Sequence, residues 1–298
     1  MNSVFSRTPF IGNIYLTHFL TMFAVSNSVS TIKKTVGHVG TQLEMKEKLD
    51  FLNWLIADEY SSQHTDILKR WHPETGQWFI NSDEFQEWLS TGKQTLYCPG
   101  IPGAGKTIIT AAVIHHISER SSRKSRIGIA YFYFNFSRQK EQTVEYFLAS
   151  VLRQFAFGQT SLPEKLGKLH LKCNRQARRP SYKDLFKNLK SILKLYTRAY
   201  IVMDALDECA TVNGCRKGII STVLNLQEET GVNIFVTSRT SDEIALAIEK
   251  DLVLPISARN VDIKKYLDHQ MLLQDLDIFD QQFRKLVASE LANAAKGM

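Results

Sequence analysis

Gly100-Ile-Pro-Gly-Ala-Gly-Lys-Thr107 is the stretch from which the rest of the chain is read. Before it lies Thr95-Leu-Tyr-Cys98, with the apolar and aromatic character of a strand. After it, Lys106 to about Arg120 carries apolar residues at helical spacing. A glycine loop between strand and helix turns successive main-chain N–H groups toward one anion, because residues lacking a β-carbon reach backbone conformations closed to others. The helix N-terminus adds unpaired N–H groups and a partial positive charge. Lys106 adds a full charge, and the Thr107 hydroxyl suits magnesium (Mg2+). Gly100, Pro102, Gly103, Ala104, Gly105, Lys106, Thr107 and Ile108 are therefore the expected binding residues for a nucleoside triphosphate, ATP in preference to GTP.

A second stretch, Tyr200-Ile-Val-Met-Asp-Ala-Leu-Asp-Glu208, runs from an apolar strand into three acids. Asp204 falls at the carboxyl edge of the sheet, where open α/β sheets bind ligands, and can hold the magnesium, usually through a water, with Thr107 as its companion. Either Asp207 or Glu208 can polarise a water for attack on the γ-phosphate. Val236-Thr-Ser-Arg239 ends a further strand. Thr237 or Ser238 is a candidate partner of that water and Arg239 a candidate sensor of the γ-phosphate, the plainer alternative being a helix cap followed by a surface arginine.

Working outward, strands at Ile127–Phe134, Tyr200–Met203, Val232–Thr237 and Leu252–Leu254 alternate with helical patterns at 141–157, 182–196, 216–229, 241–249 and from Val261 onward. That alternation predicts an α/β fold with a five-stranded parallel sheet between two helical layers. Upstream, Leu43, Leu49, Leu52, Leu55 and Ile56 predict an amphipathic helix over His38–Ala57; residues 58–80 read as turns; Ser82-Asp-Glu starts a short helix to Trp88. The segment from His64 through Trp78 and Phe79 either covers a nucleotide base or packs on the domain edge. His115 and His116 read as structural, and Tyr131, Phe132, Tyr133, Phe134 and Phe136 as strand core and sheet surface. The expected division is 1–37, a poorly ordered extension; 38–91, a helical segment; 92–258, the nucleotide-binding core; and 259–298, the start of a helical lid.

The chain has 298 residues, 44% apolar and 22% charged, which supports a packed core and excludes a disordered chain. Cys98, Cys173, Cys209 and Cys215 form no metal-type pair and no disulfide framework, which fits a cytoplasmic protein. The apolar run Phe10–Val25 is interrupted by Asn13 and His18 and short for a membrane span. A net charge of +7 suits polyanion partners, but the densest basic run, Lys172–Arg179, lacks interleaved aromatics, so no specific nucleic acid is expected.

Taken together, Thr75-Gly-Gln-Trp-Phe79, Asp83-Glu-Phe-Gln-Glu-Trp88, the glycine loop, Asp204-Ala-Leu-Asp-Glu-Cys209 and Phe235-Val-Thr-Ser-Arg239 resemble fungal NACHT-type proteins. These belong to the signal-transducing (STAND) branch of P-loop NTPases, with a nephrocystin-3-like N-terminal module often followed by ankyrin or WD repeats. The resemblance runs from about residue 40 to the end. It implies sheet order 5-1-4-3-2 and a switch, of heterokaryon-incompatibility or innate-immunity type, between diphosphate-bound and self-associating triphosphate-bound forms. It also implies an extra acid three residues after the magnesium aspartate, here Asp207. The family's lid and repeats would follow Met298, so the chain reads as a fragment. The function expected is slow triphosphate hydrolysis as a switch, against a nucleotide-binding interaction module without turnover. A nucleic-acid-acting protein and a small-molecule kinase stand further back.

Overall fold

The computed structural model describes residues 10–56, 60–121, 126–248 and 252–273, with Leu286 and Glu290 beyond them. The chain divides into two units, residues 1–50 and 51–298. Helix α1 (Phe10–Leu55) begins in the first unit, well ahead of the His38 start that the periodicity predicts. Of its expected apolar stripe, Leu52 and Leu55 are buried, while Leu43 and Leu49 stay 57% and 45% exposed. No helix among the described residues is long and apolar enough to cross a membrane.

In the second unit, α2 (Tyr60–Arg70), α3 (Gln77–Ile80) and α4 (Asp83–Ser90) lead into β1 (Thr95–Pro99) and α5 (Lys106–Arg120). Helix α2 corrects the reading of residues 58–80 as turns. Its buried residues, Tyr60, His64 and Ile67, are too sparse to stand out from the polar background. Ser82 caps α4 as expected, its hydroxyl accepting from the Phe85 N–H at 3.3 Å.

Next come β2 (Ile127–Tyr133), α6 (Val144–Phe157), α7 (Glu164–Arg175), α8 (Tyr182–Leu193) and β3 (Arg198–Asp204). The chain continues through α9 (Cys215–Thr230), β4 (Asn233–Ser238), α10 (Asp242–Ala247), β5 (Leu252–Val253) and α11 (Asn260–Leu273). Helix α7 has no counterpart in the sequence reading. Phe136, expected in the strand core, is 72% exposed in a short turn after β2.

All strand pairings are parallel, in the order β2-β3-β4-β1-β5, which is the expected 5-1-4-3-2 read from the other edge. Every residue of β4 and all but Arg198 of β3 are buried, as near-continuous apolar strands covered on both faces must be. One face carries α5, where Trp88 of α4 packs on Tyr200 and Phe235. The other carries α6 and α9, with Phe147 of α6 against Phe132.

The strand β4 is pinned at its start. Asn233 donates to the Trp88 and Thr91 carbonyls, both at 2.6 Å, and the Trp88 indole donates to the Ile234 carbonyl at 2.9 Å. With the register held there, the far ends of β1, β3 and β4 finish together at one edge.

Candidate functional site

At that edge the chain leaves β1 through the glycine loop. Gly103 and Gly105 take φ of 80° and 88°, left-handed values that cost other residues about 1–2 kcal/mol each. Gly100 is needed for room: a β-carbon there would come within 2.6 Å of the Ile256 carbonyl oxygen. The Lys106 ammonium folds onto the loop, donating to the Gly100 and Ile101 carbonyls at 2.8 and 3.0 Å. Burial pulls it below the ordinary lysine value, against the opposing pull of Asp207 and Asp204.

Asp204 lies beneath the loop, 3% exposed. Its Oδ2 accepts from the Thr107 hydroxyl, and its Oδ1 from those of Thr110 and Thr237, all at 2.7 Å. Thr107 and Thr110, three residues apart on α5, stand on one side of the helix and reach the same carboxylate. Burial pushes the Asp204 carboxyl above its usual range; the three hydroxyls and the Lys106 charge work against that shift. The donor set is all oxygen, as a hard dication needs. Thr107 Oγ1 and Asp204 Oδ2, 2.7 Å apart, would hold such an ion, directly or through its waters.

Thr237 has a different place from the one expected. Its hydroxyl is spent on Asp204 and on accepting from the Ala205 N–H at 2.9 Å, so it braces the acid. Ser238 likewise pairs with the Tyr97 hydroxyl at 2.9 Å. Ala205 itself has φ 55°, a left-handed bend that turns the chain sharply after β3 and brings Asp207 and Glu208 over the pocket.

Asp207 is held on both oxygens: Oδ1 accepts from the Arg239 main-chain N–H at 2.9 Å and Oδ2 faces the Arg239 Nε at 3.1 Å. Glu208 accepts through Oε2 from the Phe136 N–H at 3.1 Å, and no hydrogen bond to its Oε1 is found among the described residues. Sequence reasoning missed Arg216. From the first turn of α9 it donates to the Asp207 and Cys209 carbonyls at 2.6 and 2.9 Å, with its side chain 12% exposed and Glu243 at 3.5 Å. No motif spacing marks it, because it braces the acidic turn through main-chain oxygens.

Pro102 to Ile108, Ala205, Asp207, Glu208 and Arg239 line one hollow of about 350 Å3. Gly100 and Asp204 lie behind its wall. A second hollow of about 490 Å3 shares Gly103, Ala104, Gly105 and Ile108 with it and continues to Gly76, Trp78, Asp262 and Tyr266. Asp262 Oδ2 accepts from the Gly76 N–H and the Trp78 indole, each at 3.0 Å, and the Arg259 guanidinium lies 3.8 Å from the centre of the Trp78 ring. The 64–79 segment is thus divided: Gly76 and Trp78 face this hollow, while His64 and Phe79 are buried in the core.

Solved structures with detectable similarity include Drosophila ORC (14% identity, 76% of this chain and 55% of that one, TM-score 0.47). Others are a Walker-type ATPase of Pyrococcus abyssi (12%, 68% and 60%, TM-score 0.43) and AMPPCP-bound DnaA from Aquifex aeolicus (10%, 72% and 55%, TM-score 0.38). The chain thus covers between about half and three fifths of the length of each of these. No curated protein matches it. The model of the family described as Nephrocystin 3, N-terminal matches residues 74–239, more than half of the sequence and the stretch that holds the glycine loop, the acidic turn and Arg239, and the chain belongs to that family.

Proposed function

We propose that this chain binds a nucleoside triphosphate, ATP, with magnesium, and hydrolyses it slowly as a conformational switch. The observation that carries the reading is the single hollow shared by the glycine loop and the acidic turn, with Asp204 and Thr107 in contact beneath it. In it the main-chain N–H groups of Gly103 to Thr107 hold the phosphate tail. Lys106 leaves the loop carbonyls for the β- and γ-phosphates. Thr107 and Asp204 hold the magnesium, which when bound supplies charge neutralisation at the phosphate oxygens. The second hollow takes the base: its Ile108, Ile109, Ile263 and Trp78 walls suit a flat aromatic ring.

Between the two acids, Glu208 is the better water-polarising base, because Oε2 is anchored on Phe136 while Oε1 is left to accept a proton. Asp207 instead holds Arg239. The expected outcome is that Glu208→Gln lowers turnover by 100-fold or more, a typical general-base contribution, with ATP affinity kept. Turnover at the unaltered rate would assign the base elsewhere.

The ion pair between Arg239 and Asp207 favours a second reading, binding without turnover, since it neutralises the charge that would meet the γ-phosphate. The NACHT resemblance supports the finer proposal of a cytoplasmic switch that self-associates in its triphosphate form.

A further inference from the structure

Charge is not spread evenly along this molecule. Residues 164–198 hold eleven Lys and Arg against two acids, Glu164 and Asp184, a net charge of +9. The whole chain carries +7, so its other 263 residues sum to −2. This segment comprises α7 and α8 with their flanks, and the two helices pack on each other. Leu166, Leu169 and Cys173 of α7 and Leu185, Leu189 and Ile192 of α8 are buried, which turns the basic residues outward.

Along α7, Lys165, Lys168, Lys172 and Arg175 follow the three-and-four spacing of one helix face. Along α8 and its cap, Lys183, Lys187 and Lys194 do the same. Each row is about 15 Å long at 1.5 Å per residue. The seam between them is fixed: Lys165 donates to the Ser191 hydroxyl at 3.0 Å, and Asp184 receives Arg178 at 2.8 Å and Lys172 at 3.6 Å. Asp184 is the one carboxylate on that seam, and it is outnumbered.

We propose that the α7–α8 face docks the sugar-phosphate backbone of duplex nucleic acid without sequence preference. Two rigid rows of cations complement a regular array of phosphates. Tyr182 and Phe186, the aromatics of these helices, are half-buried and stack on each other at 5.7 Å, so the face offers no platform for unpaired bases. A bilayer would need an apolar row to insert; the apolar rows of both helices face the core, and Leu171, at 59%, is the only large apolar side chain within either helix that is exposed. The proposal is independent of the nucleotide reading, because none of these residues lines either hollow at the glycine loop.

The test is fluorescence anisotropy of the full chain with two unrelated duplexes of roughly 20 base pairs, titrated at salt concentrations from about 50 to 200 mM. Both duplexes are expected to bind within a few-fold of each other, with a log–log salt slope near −4.5, about five phosphate contacts at 0.9 each. Arg175→Glu with Lys187→Glu should flatten that slope by about 2 and weaken binding at least 10-fold. The pair Lys69→Glu with Lys264→Glu, equal in charge and placed on α2 and α11, should change affinity less than 3-fold. Arg175→Gln with Lys187→Gln repeats the measurement without charge reversal. Equal weakening by the two Glu pairs, strong preference for one duplex, or binding to anionic vesicles with none to duplex would overturn the proposal.

Discussion

Arg216 shows how much of the site rests on a residue that never meets the ligand. Its guanidinium holds the Asp207 and Cys209 carbonyls, and its Nε is buried without a partner. Removing it takes the charged donor from two part-buried carbonyls on the turn that carries both acids. Arg216→Ala should cost about 2–3 kcal/mol, charged hydrogen bonds being worth about 1.5–3 kcal/mol each. Thermal denaturation would then fall by roughly 5–10 °C; an unshifted midpoint would remove the bracing role. His64 gives a pH signature. Buried and hydrogen-bonded to the Tyr133 hydroxyl at 2.8 Å, it is lowered to about 4 by burial, with the nearby His115 adding to the shift. The unfolded ring, near 6.5, takes up a proton before the folded one does. The contribution of the neutral ring is therefore fully present above pH 6.5 and is lost as pH falls from there toward 4. Melting temperature followed across that window should drop, and His64→Phe should flatten the drop. Of these residues, the sequence discloses those whose chemistry repeats across phosphate sites: Lys106, Thr107 and Asp204. Thr110 and Arg216 stay hidden, since a hydroxyl or a guanidinium that supports another side chain has no spacing of its own.

Strands and helices differ in how openly they declare themselves. Strands β1, β3 and β4 are legible because burial on both faces demands unbroken apolar runs such as Tyr200–Met203. Helix α7 is missed because three buried residues, Leu166, Leu169 and Cys173, stand among lysines and a glycine. Helix α2 is missed for the same reason, its polar residues outnumbering the buried ones. What α11 does could not be read at all from spacing: Asp262, near its start, reaches back 184 residues to the Trp78 indole. That link closes the wall of the second hollow. Asp262→Ala should weaken ATP binding about 10-fold while leaving inorganic tripolyphosphate unchanged, because the latter needs only the glycine loop. Calorimetric titration with both ligands measures it; equal losses for the two would place the base elsewhere.

Across the second unit, one register decision positions everything else. Asn233 and Trp88 fix the start of β4, β4 fixes β1 and β3 beside it, and the glycine loop and acidic turn therefore leave neighbouring strands at the same edge. The expected strand order was reached through family resemblance; the alternation of elements alone leaves several orders open. The beginning of α1 in the first unit was not foreseen, and the expected lid beyond residue 273 lies outside the described residues apart from Leu286 and Glu290. The central claim is that main-chain amides, one ammonium group and an oxygen-held dication gather a polyphosphate at this edge. Calorimetric titration of ATP with magnesium into the chain and into Lys106→Ala tests it most directly. The account predicts saturable one-to-one binding, weakened at least 100-fold in the variant, about 3 kcal/mol. Equal affinity in the two proteins, or no binding to either, would contradict it.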